Sequence, residues 1–180
     1  NKYGNIEEVF KQADHVLNVD FLEHRGGCHA MECRNILVNY DASLDETTIH
    51  LTTQAPFLIR RLMARFLEED ESRIRIVCPD VGGGFGPKNG PHPEEFVLAV
   101  VAKKLKRPVK WIEDRREHFT ATWIAGDQHW SMEIACDNEG KILGARGRVI
   151  HEMGAFVPYG LLLPATSLFP LPGPYSVPAM

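Results

Sequence analysis

The run Gly82-Gly83-Gly84-Phe85-Gly86, set in PDVGGGFGPKNG over residues 79–90, constrains this chain more than any other feature. It follows RIRIVC (73–78), where Ile74 and Ile76 alternate with Arg73 and Arg75 as they would along a strand. Glycine loses more backbone entropy on folding than any other residue. A cluster of it therefore marks either a plain strand-to-helix loop or a place where something approaches the main chain closely. Glycines on both sides of Phe85 let the N–H groups of Phe85 and Gly86 turn toward one point, a concavity suited to an anion or a metal-oxo oxygen. Nucleotide loops fail on spacing. A Walker A loop puts Lys directly after its last Gly, but Pro87 separates Gly86 from Lys88, and Asn89 replaces the hydroxyl residue. A dinucleotide fingerprint needs a third Gly where Pro87 stands, and the next helix begins several residues late.

Periodicity places the surrounding elements. Residues 5–13 predict a short helix, and 15–24 and 34–40 predict strands; TTIHLTT (47–53) returns after the turn DASLDE, making 34–53 a hairpin. After Pro56, Leu58, Ile59, Leu62, Met63, Phe66 and Leu67 recur at helical spacing. EEFVLAVVAKKLK (94–106) predicts a second long helix, acidic first and basic last, as the helix dipole favours, with a middle so apolar that burial on all sides is expected. PVKWIED is a further strand, and QHWSMEIAC with KILGARGRVI, joined by DNEG, predicts a second hairpin. These elements predict an α+β fold, a mixed sheet with two to three helices, over residues 1–157. Residues 158–180 carry six prolines among few polar groups and predict an extended apolar segment that packs on something further along the polypeptide.

Composition narrows the classes of function. The net charge of −4 is spread along the chain, which argues against a nucleic-acid or anionic-membrane surface. No apolar run approaches the ~20 residues that cross a bilayer, and the opening NKYGNIEEVFKQAD is not a signal peptide. Cys28, Cys33, Cys78 and Cys136 include no CxxC pair, which suits reduced thiols and a cytoplasmic setting. Cys28, His29, Glu32 and Cys33 could form a metal cluster, but a packed strand entry explains them better, with Glu32 placed to buttress the site through hydrogen bonds. Asp114-Arg115-Arg116-Glu117 is expected to be a solvated charged face or a local set of ion pairs, each contributing little. Lys88 is either a surface lysine or an anchor of the loop.

VGGGFGPK resembles the VGGGFGGK loop of the molybdenum hydroxylases, the family of xanthine dehydrogenase, aldehyde oxidase and carbon monoxide dehydrogenase. LTTQAP (51–56), HAMEC (29–33), RPVKWIEDRREHF (107–119) and GNIEEVFKQAD match further segments of that family in the same order. The resemblance implies a portion of the molybdopterin-binding large subunit, and oxidative hydroxylation of an aldehyde, N-heterocycle or related small molecule with water as oxygen source. The implied cofactor is molybdopterin, with its cytosine dinucleotide form as one alternative. FAD and 2Fe-2S clusters are implied on a medium and a small partner subunit, in a dimer of heterotrimers. Carried over, Gln54 lies beside an oxygen on the metal and Gly84, Phe85 and Gly86 present main-chain amides to it, with no residue ligating the metal directly. The general-base glutamate of the family has no counterpart here and is expected downstream, so this segment alone is expected to be inactive. Asn89 stands where purine-oxidising members carry Glu, and Pro87 where Gly is usual. Bland alternatives remain: Gln54 as a cap on the helix that follows it, Phe85 as a wedge into the core, and the whole segment as an assembly scaffold without cofactor.

Overall fold

The computed structural model describes residues 2–154, 160 and 162–180. In chain order its elements are α1 (Ile6–Gln12), β1 (His15–Glu23), β2 (Asn35–Asp41), β3 (Glu46–Leu51), α2 (Pro56–Leu67), β4 (Ile74–Val77), α3 (Pro93–Leu105), β5 (Val109–Ile112), α4 (Arg115–Ala121), β6 (Gln128–Cys136), β7 (Ile142–His151) and α5 (Leu162–Leu168). The class is α+β as expected, but five α-helices, not two or three, stand among the described residues. The charge run at 114–117 is not simply a solvated face. Asp114 accepts the Glu117 N–H at 2.7 Å while the Glu117 carboxylate accepts the Asp114 N–H at 2.9 Å, a capping box that starts α4. The tail expected to be extended contains α5. Its proline, Pro164, sits in the first turn, where a missing N–H costs nothing, and Thr166 and Ser167 hydroxyls donate to Leu163 O. The boundary at 157/158 falls outside the described residues; the chain instead divides into residues 27–124, and residues 1–26 with 125–180.

Residues 27–124 form a four-stranded sheet in the order β4-β3-β2-β5. Ile36, Val38, Ile49, Leu51 and Ile74 point from it into a core closed by Ile59, Met63 and Ala64 of α2 and Ala99 and Ala102 of α3. Each such large apolar side chain stabilises the fold by about 1.5–3 kcal/mol. The Phe66 and Phe96 rings, 4.6 Å apart, join α2 to α3. α3 is not buried all round: Val97 and Leu105 are more than half exposed, and its buried positions are Glu95, Ala99 and Ala102.

Strand direction positions the site. β3 and β4 are parallel, with His50 opposite Val77, so the segments leaving them emerge at the same end of the sheet. β2 and β5 run antiparallel to their neighbours, with Ile36 opposite Leu51 and Asn35 opposite Ile112. The start of β2 and the finish of β5 therefore lie at that end too. Glu32, Gln54, the glycine loop and Glu113 all sit beyond it.

Residues 1–26 with 125–180 form an antiparallel sheet in the order β1-β6-β7. Trp130 is buried there and stacks on Phe21 at 5.8 Å, and the terminal residues pair as Tyr3 with Met180.

Candidate functional site

Gln54 leaves β3 and meets the loop that leaves β4. Its Oε1 accepts the backbone N–H of Gly86 at 2.9 Å. An N–H requires an acceptor, so the oxygen faces Gly86 and the NH2 group is directed elsewhere. Gly84 makes this contact possible: a Cβ there would come within 2.5 Å of the Gln54 side chain. Gly86 is required for a different reason. Its φ of +103 strains any L side chain although nothing lies within 4 Å of the Cβ position. Phe85 adopts φ +51, a left-handed conformation costing about 1–2 kcal/mol, and the residue is 68% exposed. It is not a core wedge. Nor does Gln54 cap α2: its side-chain oxygen is taken by Gly86, and the N–H of the N-cap residue Ala55 donates to Thr53 Oγ1 at 3.1 Å. Among the described residues, the N–H groups of Gly84 and Phe85 and the Gln54 NH2 donate no hydrogen bond within the chain.

The loop is fastened from beneath. Lys88 is buried, so it is the anchor and not a surface lysine. Its Nζ lies 2.8 Å from Glu32 Oε2, which also accepts the Gly82 N–H at 2.8 Å. Asn35 donates to the other Glu32 oxygen at 3.3 Å. Burial pushes the Glu32 carboxyl up, but the Lys88 and Gly82 hydrogen bonds outweigh it and hold it below its ordinary value. The Lys88 carbonyl accepts the Gln54 N–H at 2.8 Å and the Thr53 hydroxyl at 3.1 Å. The Pro87 carbonyl lies 2.7 Å from His92 Nε2. Glu95, which accepts the His92 N–H, is pushed up to about 7 by burial, against the opposing effect of that bond.

A second buried network closes the same end of the sheet. Arg34 Nη2 and Nε donate to Glu113 Oε1 at 2.6 and 2.9 Å, while Glu113 Oε2 accepts the Arg34 N–H at 3.0 Å and lies 2.7 Å from His118 Nδ1. Burial raises the Glu113 carboxyl, yet Arg34 and His118 bring it below its usual range. Cys33 lies beside Glu113 and His118, their ligand atoms all within 4.8 Å. The Glu113 oxygens are already taken by Arg34 and His118, so this is an ion-pair network and not a cation cage. The cluster considered at residues 28–33 does not assemble: Glu32 turns to Lys88, and His29 packs edge-on against Phe119 at 4.6 Å. All four cysteines are free.

The geometry brings Gln54, Gly84, Phe85 and Gly86 together but changes the role of Gly86. Its N–H was expected to face outward with that of Phe85; instead it is spent on Gln54. Sequence reasoning missed Arg34, Glu113, His92 and Glu95. The i to i+3 pair His92/Glu95 ahead of an apolar run was a legible capping signal. Arg34 and Glu113, 79 residues apart, carried none.

The whole chain, residues 1–180, matches the family model described as molybdopterin cofactor-binding domain. It is 36% identical over 154 residues to the nicotine 6-hydroxylase large subunit of Paenarthrobacter nicotinovorans, covering 86% of this chain and 19% of that protein. It is 42% identical over 127 residues to the carbon monoxide dehydrogenase large chain of Hydrogenophaga pseudoflava, covering 70% of this chain and 16% of that one. Among solved structures, quinoline 2-oxidoreductase from Pseudomonas putida 86 superposes with a TM-score of 0.69 at 33% identity, covering 81% of this chain and 18% of that chain. The chain thus spans about a fifth of the length of these relatives. Another relative is the gamma subunit of the 6-hydroxypseudooxynicotine dehydrogenase complex of P. nicotinovorans, 35% identical over 185 residues and covering 98% of this chain and 22% of that subunit. Among the described residues no helix is long and apolar enough to cross a membrane.

Proposed function

The chain belongs to the molybdopterin cofactor-binding domain family of the molybdenum hydroxylases, and from that membership we propose that it forms part of a catalytic large subunit that oxidises an aldehyde, an N-heterocycle or a related small molecule with water as oxygen source. The observation that carries this reading is the Gln54–Gly86 hydrogen bond, because it leaves the Gln54 NH2 and the Phe85 N–H as neutral donors on one exposed curl. That donor set fits an oxygen-bearing molybdenum–pterin group: neither donor ionises near neutral pH, and the close approach at Gly84 leaves no room for a side chain to intrude.

When bound, the cofactor supplies the two-electron redox chemistry. This chain's contribution is orientation. Gln54, fixed by its own N–H on Lys88 O and by Gly86, holds its NH2 in one direction. The Phe85 amide is fixed by a backbone conformation that the loop anchors impose. Donors held in place before the reaction need no reorganisation during it. In this reading, subunits carrying 2Fe-2S clusters and FAD take the electrons onward in a cytoplasmic dimer of heterotrimers.

Molybdenum and pterin analysis of the complete complex, with and without Gln54→Ala, tests the reading. We expect both groups in the wild type, and a turnover loss on the order of 100-fold in the variant with KM little changed. A complex that contains neither group would overturn it and favour an assembly scaffold.

A further inference from the structure

We propose that the ion pair between the buried Lys88 and the half-buried Glu32 is a positioning device that fixes the direction in which the Gln54 carboxamide and the Phe85 amide face the cofactor, an inference that rests on reading those two residues as cofactor contacts. The Lys88 side chain is 0% exposed. Moving an ammonium out of water costs several kcal/mol unless it is paired in good geometry, and a lysine near a surface loop ordinarily keeps its head in solvent. Here it is turned inward onto Glu32, and the pair joins the two halves of the site. Through its ammonium, Lys88 holds Glu32, which exchanges two hydrogen bonds with Gly82 at the start of the curl: Gly82 N–H to Oε2, and Glu32 N–H to Gly82 O at 3.2 Å. Through its carbonyl, the same residue accepts the Gln54 N–H and the Thr53 hydroxyl. Gln54 then closes the circuit on Gly86. Thr53, Gln54, Gly82 and Gly86, beyond the ends of two parallel strands, are thereby fixed through one ion pair whose lysine is fully buried and whose glutamate is one-third exposed. Glycine can bend in many ways; the ion pair selects one of them.

Lys88 and Glu32 are therefore positioning residues, and three variants of the complete complex separate this role from others: Lys88→Met, Lys88→Met with Glu32→Gln, and Gln54→Ala. The double variant removes both charges at once, so it strands no buried ion and keeps the test available if Lys88→Met alone does not accumulate. The readouts are amide hydrogen exchange over residues 82–86, molybdenum content, the molybdenum electron paramagnetic resonance spectrum, and kcat against KM. We expect faster exchange at Gly82 and Gly86, molybdenum content within about twofold of wild type, a shifted spectrum, and kcat lowered roughly 10- to 100-fold with KM nearly unchanged. Wild-type exchange, spectrum and kcat in the double variant would overturn the proposal. If Gln54→Ala shifts the spectrum and the Lys88 variants do not, this inference fails while the reading of the site stands. If Gln54→Ala also leaves the spectrum unchanged, the reading of the site fails and takes this inference with it.

Discussion

The backbone N–H of Gly86 donates to the side-chain oxygen of Gln54 across 2.9 Å, linking two residues 32 positions apart in the chain. The bond decides which way the carboxamide turns. Together with the Gly82 N–H on Glu32 it ties the curl inward, while the N–H groups of Gly84 and Phe85 and the Gln54 NH2 donate to nothing among the described residues.

Gly84→Ala should break this relationship without replacing either partner. Its Cβ would lie 2.5 Å from the Gln54 side chain, which is flexible enough to swing away. The expected outcome is loss of the Gly86 hydrogen bond, about 1 kcal/mol of local stability, and a turnover loss of roughly 10- to 100-fold. Hydrogen exchange at the Gly86 amide and kcat of the complete complex check it; unchanged protection at Gly86 would refute it.

Gly86→Ala acts through the backbone alone. No atom lies within 4 Å of the new Cβ, but φ +103 is unfavourable for alanine, so a penalty on the order of 1–3 kcal/mol is expected. Gly86→Asn should cost less, since asparagine tolerates positive φ better. Chemical denaturation of the two variants side by side measures the difference, and equal stability would remove strain as the explanation.

Glu113→Gln leaves the Arg34 guanidinium buried, with Glu94 at 3.3 Å its one remaining acidic partner. Breaking one side of such a pair costs about 3–5 kcal/mol. Thermal unfolding should show the loss, together with faster exchange in β2 and β5. A shift within error would mean that the network contributes little.

Stability should depend on pH through Glu95. Its folded pKa of about 7 lies above the ordinary 4.5, so the folded state holds this proton more tightly than the unfolded state does. Its contribution is most favourable below pH 4.5 and declines as pH rises to about 7, by roughly 3 kcal/mol at most. Glu95→Gln should flatten that part of the profile. Denaturation midpoints at pH 5 and pH 7.5 compare the two, and parallel profiles would remove Glu95 as the cause.

Much of this was legible without coordinates because local physics fixed it. The period-2 run at 34–40 and its return at 47–53 became β2 and β3, and the stripe after Pro56 became α2. The loop and the TTQAP segment identified the family. Composition left some groups open or misjudged, and the partner of each decided its fate: a carboxylate 56 residues away makes Lys88 the anchor rather than a surface lysine, a capping box takes Asp114 and Glu117, and a first-turn position admits Pro164 to a helix in the tail.

The sequence by itself determined most of the strands, the long helices and the α+β class, since periodicity acts over a few residues at a time. Only the tertiary structure decided that β3 and β4 run parallel. That pairing brings the residues following both strands to one end of the sheet, where the Gly86 N–H holds the Gln54 side chain. Strand direction depends on which apolar faces α2 and α3 can cover together, a property of the assembled core that no short stretch of residues carries.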